Sequence, residues 1–443
     1  MKKLLWTAVI ALLLSACANS SSKTNNTDAT DAIPVKVKKD GDEFRLVRDD
    51  EPYFIKGART IRTRYMEEVA EYGGNSVRIG YNDNVNEVLD EAHRLGLSVM
   101  FGLPFRAERA GFDYDDEQAV KDQHDRMIEI VNEHKDHPAV LMWAIGNELD
   151  HVPGQEEYNL KMWDAVNDVA ETIHKVDPHH PAMTVIGSGR KHKLQDLIER
   201  CPDLDLLGMN AYGDIGEIPE WLRKYNWNRP YAVTEWGPTG HWQVPQTKWG
   251  AVIEETSTEK AKVYRNRYES VIASDPWCVG SYVFLWTSNR QERTHTWYNM
   301  FHDDGSAKEV VEVMQHAWTG EWPENRSPRI ESLKINGQSA GDNIDLEASE
   351  IQTVSVEVND PDNDELRVDW ELVPENKNFG AYAGQGETKP EPVEDAVKST
   401  AHNGKTAKFE TPEAKGDVFR MFVYVYDGHN NVAVANIPFH VKE

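Results

Sequence analysis

The run His137-Pro-Ala-Val-Leu-Met-Trp-Ala-Ile-Gly-Asn-Glu-Leu149 limits what this chain can fold into more than any other stretch. Val140 to Ile145 is apolar without a polar interruption. That is the pattern of a strand buried on both faces, as in a parallel barrel rather than a one-sided sheet. Gly146, Asn147 and Glu148 follow at once. A carboxylate at the end of such a strand is costly unless the strand opens there onto a cleft. Pro230-Tyr-Ala-Val-Thr-Glu-Trp-Gly237 repeats the grammar, apolar and then acidic at Glu235. Two buried strands that each deliver one glutamate predict paired carboxylates, the equipment for breaking a glycosidic bond.

Short apolar runs alternate with helical patterns from residue 53 onward. Strands are predicted over Phe54–Ala58, Ser76–Tyr81, Leu97–Pro104, Val140–Glu148, Ala182–Gly187, Leu204–Tyr212, Tyr231–Gly237 and Val279–Trp286. Between them, Val120, His124, Met127, Ile128 and Val131 recur at helical spacing, as do Met162, Val166, Val169 and Ile173. A last helix is predicted over Glu309–Trp318. Eight strand–helix units predict an α/β fold, a (β/α)8 TIM barrel over 34–322. An open doubly wound sheet is the competing architecture, weakened because no GxGxxG follows the first strand. Polar–apolar alternation over Val35–Pro52 predicts a small hairpin closing the bottom of the barrel.

The segment Pro-Glu-Asn-Arg-Ser-Pro at 323–328 reads as a linker. Beyond it the period changes to two. Thr353–Val358, Leu366–Leu372, Val418–Tyr426 and Val432–Val441 alternate and are rich in Val, Phe and Tyr. That pattern predicts an all-β sandwich over 329–443. Asp360, Asp362 and Asp364 crowd one inter-strand segment. An Asp-rich turn accounts for them, and Ca²⁺ is the alternative ligand chemistry.

A chain of 443 residues with net charge −27 disfavours nucleic acid and an anionic membrane surface as partners. Lys2 and Lys3 precede an apolar run from Leu4 to Leu14, the layout of a signal peptide and too short to span a bilayer as a mature helix. Residues 18–33, rich in Ser, Thr, Asn and Asp, read as a flexible tether. Cys201 and Cys278 each start a predicted strand, and those strands are not neighbours in the barrel, so two unpaired buried thiols are expected. No zinc-like spacing is present.

Leu14-Ser15-Ala16-Cys17 resembles the lipobox of bacterial lipoproteins. The resemblance implies a signal peptide over 1–17, lipidation of Cys17, and an exported lipoprotein at the outer membrane, held there by its lipid anchor alone. Ser355-Val-Glu-Val-Asn-Asp-Pro-Asp-Asn-Asp364 resembles immunoglobulin-like and polycystic-kidney-disease-type modules of secreted bacterial enzymes.

The Asn147-Glu148 pair after strand four and Glu235 ending strand seven resemble clan A glycoside hydrolases. His137–Glu148, Tyr53-Phe-Ile-Lys-Gly57 and Gly74-Asn-Ser-Val-Arg78 are similar to the barrel domain of glycoside hydrolase family 2. The likeness covers residues 50–290. It implies Glu148 as acid/base and Glu235 as nucleophile of a retaining enzyme that needs no metal and no cofactor. By the same resemblance Asn147 contacts the sugar 2-hydroxyl, Arg78 holds Glu235 ionised, Tyr212 bonds the nucleophile, and Trp286 forms an aromatic floor.

The chain has 14 Trp. Trp236, Trp242, Trp249 and Trp297 fall after strands seven and eight, either as sugar platforms or as packing under long loops. The charged strand-three loop, Arg106–Glu117, is an expected wall of the cleft. Exo-acting members of family 2 carry sandwich domains before the barrel, whereas here the sandwich follows it. The layout resembles clan A endo-glucanases and glucanosyltransferases. The expected activity is endo-hydrolysis of a polysaccharide, a β-1,3-glucan such as laminarin first, by a monomer. Glucanosyl transfer, hydrolysis of β-mannan or mixed-linkage glucan, and a non-catalytic surface glycan-binding lipoprotein are the alternatives.

Overall fold

Three short antiparallel strands, β1 (Val35–Asp40), β2 (Glu43–Arg48) and β3 (Glu51–Tyr53), come first in the computed structural model. The model describes residues 31–442 apart from 62, 82–83, 152–156, 188–190, 378 and 380–385. Cys17 and the proposed tether up to residue 30 lie outside the described residues. The expected hairpin gains its third strand because Asp49 and Asp50 both adopt left-handed backbone (φ 53° and 59°). A two-residue turn of that kind suits the twist of paired strands. The small sheet covers the bottom of the barrel: the Val35 and Phe44 amides donate to the carbonyls of His179 and Pro276 (2.8 Å each). Both acceptors lie just before barrel strands.

Eight strands then close into a parallel barrel. They are β4 (Ile55–Thr60), β5 (Ser76–Gly80), β6 (Ser98–Leu103) and β7 (Val140–Ile145). The circle continues with β8 (Ala182–Gly187), β9 (Leu206–Asn210), β10 (Tyr231–Trp236) and β11 (Cys278–Trp286). β11 pairs with β4, Gly280 opposite Ile55, to complete it. One helix follows each strand: α1 (Met66–Glu71), α2 (Val85–Arg94), α3 (Glu117–His134) and α4 (Lys161–Val176). The remaining four are α5 (Lys191–Arg200), α6 (Ile218–Lys224), α7 (Ser257–Arg267) and α8 (Glu309–Thr319). In α4 the predicted stripe Met162, Val166, Val169 and Ile173 is buried against the strands. Asp116 caps α3, accepting from the amides of Gln118 and Ala119, a contact worth about 1 kcal/mol. The barrel lumen is filled by Met100, Met142, Met183, Val185, Leu206 and Ala232, a packed core rather than a pore.

Cys201 and Cys278 are free and buried. Burial pushes each thiol up to about 12, so neither offers a thiolate at neutral pH. Both are expected to stay unlabelled by a thiol reagent in the folded protein and to react on unfolding, as peptide mapping would show.

The sandwich pairs two four-stranded sheets. One has β12 (Arg329–Ile335), β14 (Ile351–Asn359), β17 (Thr406–Glu410) and β16 (Val397–Thr400) in that order. The other has β13 (Asp345–Leu346), β19 (Val432–Val441), β18 (Val418–Tyr426) and β15 (Arg367–Pro374). The alternation expected of half-exposed strands is absent from β18 and β19, which are buried on both faces. The second face packs on the barrel. Arg420 of β18 donates to the Val252 carbonyl (2.7 Å), to Asn436 (2.7 Å) and to Glu375 (2.5 and 2.8 Å). His295 bonds the Tyr424 hydroxyl (2.7 Å), and the Val434 amide donates to Ser257 Oγ (2.9 Å). The linker is pinned as well, with Arg326 on Glu312 of α8 (2.7 Å). Arg420→Ala would leave Glu375 and two further buried acceptors without their donor. It is expected to cost about 3 kcal/mol in denaturant unfolding.

Asp360 Oδ1 accepts from the amides of Asp362 and Asp364 (2.9 and 3.0 Å), the Asp-rich turn that the sequence predicts.

Candidate active site

The C-terminal ends of the barrel strands carry the chemistry, as the fold requires. Two of the three residues Gly146, Asn147 and Glu148 have left-handed backbone (Gly146 φ 75°, Glu148 φ 47°). A Cβ on Gly146 would sit 2.7 Å from the Leu149 side chain. The chain therefore leaves β7 in a tight turn that only glycine permits at this position. The Glu148 amide donates to the Val185 carbonyl of β8 (2.8 Å). Arg109, from the strand-three loop, grips the same turn through the carbonyls of Glu148 and Asn147 (2.9 Å for Asn147). That loop thus fixes the turn that carries Glu148, a more specific task than the wall expected of it.

Glu235 lies on β10, and its carboxylate meets Arg78 of β5 across the barrel mouth (Nη1–Oε1 2.6 Å). Arg78 also donates to the Thr234 carbonyl (2.9 Å) and to Asn147 Oδ1 (2.7 Å). Asn210, ending β9, donates to Asn147 Oδ1 (3.1 Å) and to Glu148 Oε1 (2.9 Å). Its own oxygen accepts from Thr234 Oγ1 (2.8 Å). One hydrogen-bonded chain therefore runs Glu235–Arg78–Asn147–Asn210–Glu148. Asn147 Oδ1 thus accepts twice, while its Nδ2 donors make no hydrogen bond among the described residues.

Burial pushes the Glu235 carboxyl above the ordinary range. The Arg78 and Arg59 guanidiniums pull it back and the Glu148 charge adds to the rise. Arg78 thus pairs with Glu235 and favours its ionised form, as expected, against the opposing push of burial. Burial and then the Glu235 charge hold the Tyr212 hydroxyl well above its usual value. Among the described residues no hydrogen bond joins that hydroxyl to Glu235. Tyr212 instead packs edge-on against Trp242 (5.4 Å) and Tyr298 (5.8 Å).

Two expected sugar platforms are core residues. Trp236 is wholly buried and packs on Tyr264 and Tyr268. Successive side chains of a strand point to opposite faces, so an inward Glu235 sends Trp236 outward, under α7. Trp286 is likewise wholly buried, among Trp318, Phe301 and Tyr72. It forms no floor. Trp297 is buried too, and Trp249 stacks on His440 of the sandwich. Trp242, 56% exposed, is the loop tryptophan that remains open at the mouth.

Sequence reasoning passed over Asn210, Arg109 and Arg59. Asn210 and Arg59 sit at the ends of barrel strands, and that position was their available signal. Arg59 donates to the carbonyls of Thr60 and Arg78 (2.8 and 3.1 Å). Burial and the Arg78 charge lower its pKa to about 10, with Glu235 acting in the opposite sense.

A TIM barrel that carries two hydrogen-bonded glutamates at the ends of its fourth and seventh strands has the build of a glycoside hydrolase catalytic domain. Residues 67–246 match the TIM barrel domain of glycosyl hydrolases family 2. A β-glucuronidase from Paenibacillus borealis is 23% identical over 284 residues, which is 56% of this chain and 44% of that one. Bacteroides uniformis β-glucuronidase 2 has a similar structure (TM-score 0.51, 16% identity), covering 92% of this chain and 48% of that one. A β-glucuronidase from Ruminococcus gnavus also aligns (TM-score 0.51, 14% identity), over 65% of this chain and 52% of that one. At these identities the structural likeness shows the fold alone. The chain spans about half or less of the length of these three relatives.

Proposed function

We propose that this protein is a retaining endo-β-glycoside hydrolase that cleaves a polysaccharide, with a β-1,3-glucan of the laminarin type as first substrate. The observation that carries the reading is the hydrogen-bonded chain joining Glu148 to Glu235 through Asn210, Asn147 and Arg78. In the proposed reaction Glu235 attacks the anomeric carbon, and the C–O bond to the leaving sugar breaks as Glu148 protonates that oxygen. Glu148 then takes a proton from water, whose oxygen displaces Glu235 from the anomeric carbon. Two inversions return the starting configuration. The open tryptophan at the mouth supports a glycan chain over a small glycoside, because sugar C–H faces stack on indoles.

One observation favours a second reading, hydrolysis of a β-linked uronic acid. Arg59 stands near Glu235 and forms no ion pair among the described residues. A guanidinium so placed suits a carboxylate on the substrate. Proteins named β-glucuronidase are among the relatives. The net charge of −27 opposes an anionic substrate only at long range and through solvent.

Product analysis on laminarin, β-mannan, mixed-linkage glucan and p-nitrophenyl β-glucuronide, with wild type, Glu148→Gln and Glu235→Gln, decides between them. A ladder of oligosaccharides from one polymer, abolished in both variants, supports the endo-hydrolase. Products longer than the starting oligosaccharide would identify glycosyl transfer. Release from the glucuronide alone, lost in Arg59→Gln, would replace the first reading with the second.

The N-terminal reading is part of the same proposal: lipidation at Cys17 holds the enzyme at the outer membrane. Labelled palmitate is expected to enter the wild-type protein and not Cys17→Ser, and the variant is expected in the soluble fraction.

A further inference from the structure

Four large apolar side chains stand exposed among the described residues: Ile61, Trp242, Ile351 and Phe379. Ile61 follows β4 and Trp242 follows β10, both at the catalytic end of the barrel. Phe379 belongs to the sandwich, in the long connection between β15 and β16. Singly exposed apolar residues need no explanation. The contacts of Phe379 set it apart.

Phe379 is tied to the rim of the catalytic mouth. Arg293, in the loop after β11, has left-handed backbone (φ 62°) and donates its amide proton to Glu387 Oε2 of the sandwich (2.7 Å). Asn376 braces the same carboxylate (3.1 Å). The Arg293 guanidinium lies 3.5 Å from the centroid of the Phe379 ring, and its Nε donates to His241 Nδ1 (3.4 Å). His241 meets Trp242 edge-on at 4.9 Å. Trp242 in turn meets Tyr212, which lies under the charge of Glu235. A series of contacts thus leads from Tyr212, just past β9, to Phe379. The guanidinium covers one face of that ring, and the side chain remains 47% exposed.

We infer that Phe379 is a platform for a sugar unit distal to the cleavage point, so that barrel and sandwich share one glycan-binding face. The inference rests on the polysaccharide reading above. An aromatic ring fixed by a cation on one side presents its other side without further ordering, and sugar C–H faces stack on such rings. Trp242 serves a unit close to the glutamates, and Phe379 serves one further along the chain. The sandwich then acts in selecting polymer over short fragments, which a spacer would not do.

The test uses full-length Glu148→Gln protein as parent, to prevent turnover, in affinity electrophoresis through gels containing laminarin, β-mannan or mixed-linkage β-glucan. Phe379→Ala and Phe379→Tyr are compared on that background, and trisaccharide binding is measured by calorimetry. In the polymer that retards the parent, Phe379→Ala is expected to lower affinity about tenfold relative to the matching trisaccharide. Phe379→Tyr is expected to restore it, with unfolding midpoints unchanged in both. Retardation of Phe379→Ala equal to that of the parent overturns the inference and leaves the polysaccharide reading standing. A parent retarded by none of the three polymers overturns both.

Discussion

Glu235→Ala is expected to lower kcat by about 10⁴-fold or more on any substrate that the protein cleaves. In the proposed mechanism the lost carboxylate forms the first covalent bond to the anomeric carbon. Arg78 and Asn210 hold the surrounding geometry from β5 and β9, so the variant should fold. Added azide then separates the roles of the two carboxylates. In the space left at residue 235, azide attacks the anomeric carbon of an activated β-glycoside once and yields the α-azide. In Glu148→Ala the nucleophile is intact, azide intercepts the glycosyl-enzyme, and the product is the β-azide. Glu148→Ala should also depend steeply on leaving-group acidity, because proton donation is what it lacks. Products of the opposite configuration would exchange the two assignments. Activity near wild type in both variants would remove the pair from catalysis altogether.

Arg78→Met is the second large effect. The guanidinium sits 2.6 Å from the Glu235 carboxylate, with side-chain exposures of 9% and 17%, where an ion pair is little screened by solvent. The nucleophile must be ionised, and the cation opposes the upward push of burial. Removing it raises the Glu235 pKa further, so activity is lost at a higher pH as the solution is acidified. The acidic limb of kcat/KM is expected to move up by about 1 to 3 units. The Asn147 amide loses one of its two anchors in the same variant, so kcat on the plateau is expected to fall about a hundredfold. Arg78→Lys keeps the charge but not the fork that reaches Thr234, Glu235 and Asn147 together. It should return the pH limb toward its original position while leaving kcat low. A limb unmoved in Arg78→Met would show that the charge does not act on the nucleophile.

Much of this site is legible in the sequence. A glutamate ending an apolar run is expensive, and two such runs in register with eight strand–helix units leave few places for the charges. Glu148 and Glu235 follow from that reasoning, Asn147 and Arg78 from the family resemblance, and the structure brings all four into one network. The tryptophans were less legible for two different reasons. Trp236 was decidable by parity, since it neighbours an inward glutamate on a strand. Trp286 was not, because every residue of β11 is buried, and the apolar run Tyr282–Trp286 does not reveal which side chains face the lumen and which face the helices. Asn210 carried only its position at a strand end. It acquires a role because β9 lies beside β10 and across from Asn147, a relation between residues far apart in the chain.

The sandwich shows the same division. Val418–Tyr426 and Val432–Val441 have the bounds expected from their composition. Their outward faces looked like solvent-facing strand positions and instead carry Arg420, Phe422 and Tyr424 against the barrel. Local chemistry determines where strands, helices and turns begin, because periodicity, apolar runs and left-handed positions act over a few residues. By itself the sequence therefore determined the barrel, the sandwich and the placing of two glutamates at the ends of the fourth and seventh barrel strands. The tertiary structure alone decided which aromatic rings are core and which are open, what counterbalances the burial of Glu235, and that a sandwich loop reaches the rim of the barrel mouth. Each of those depends on surfaces that meet only after the chain has closed on itself, where burial and through-space charge have no counterpart in sequence spacing.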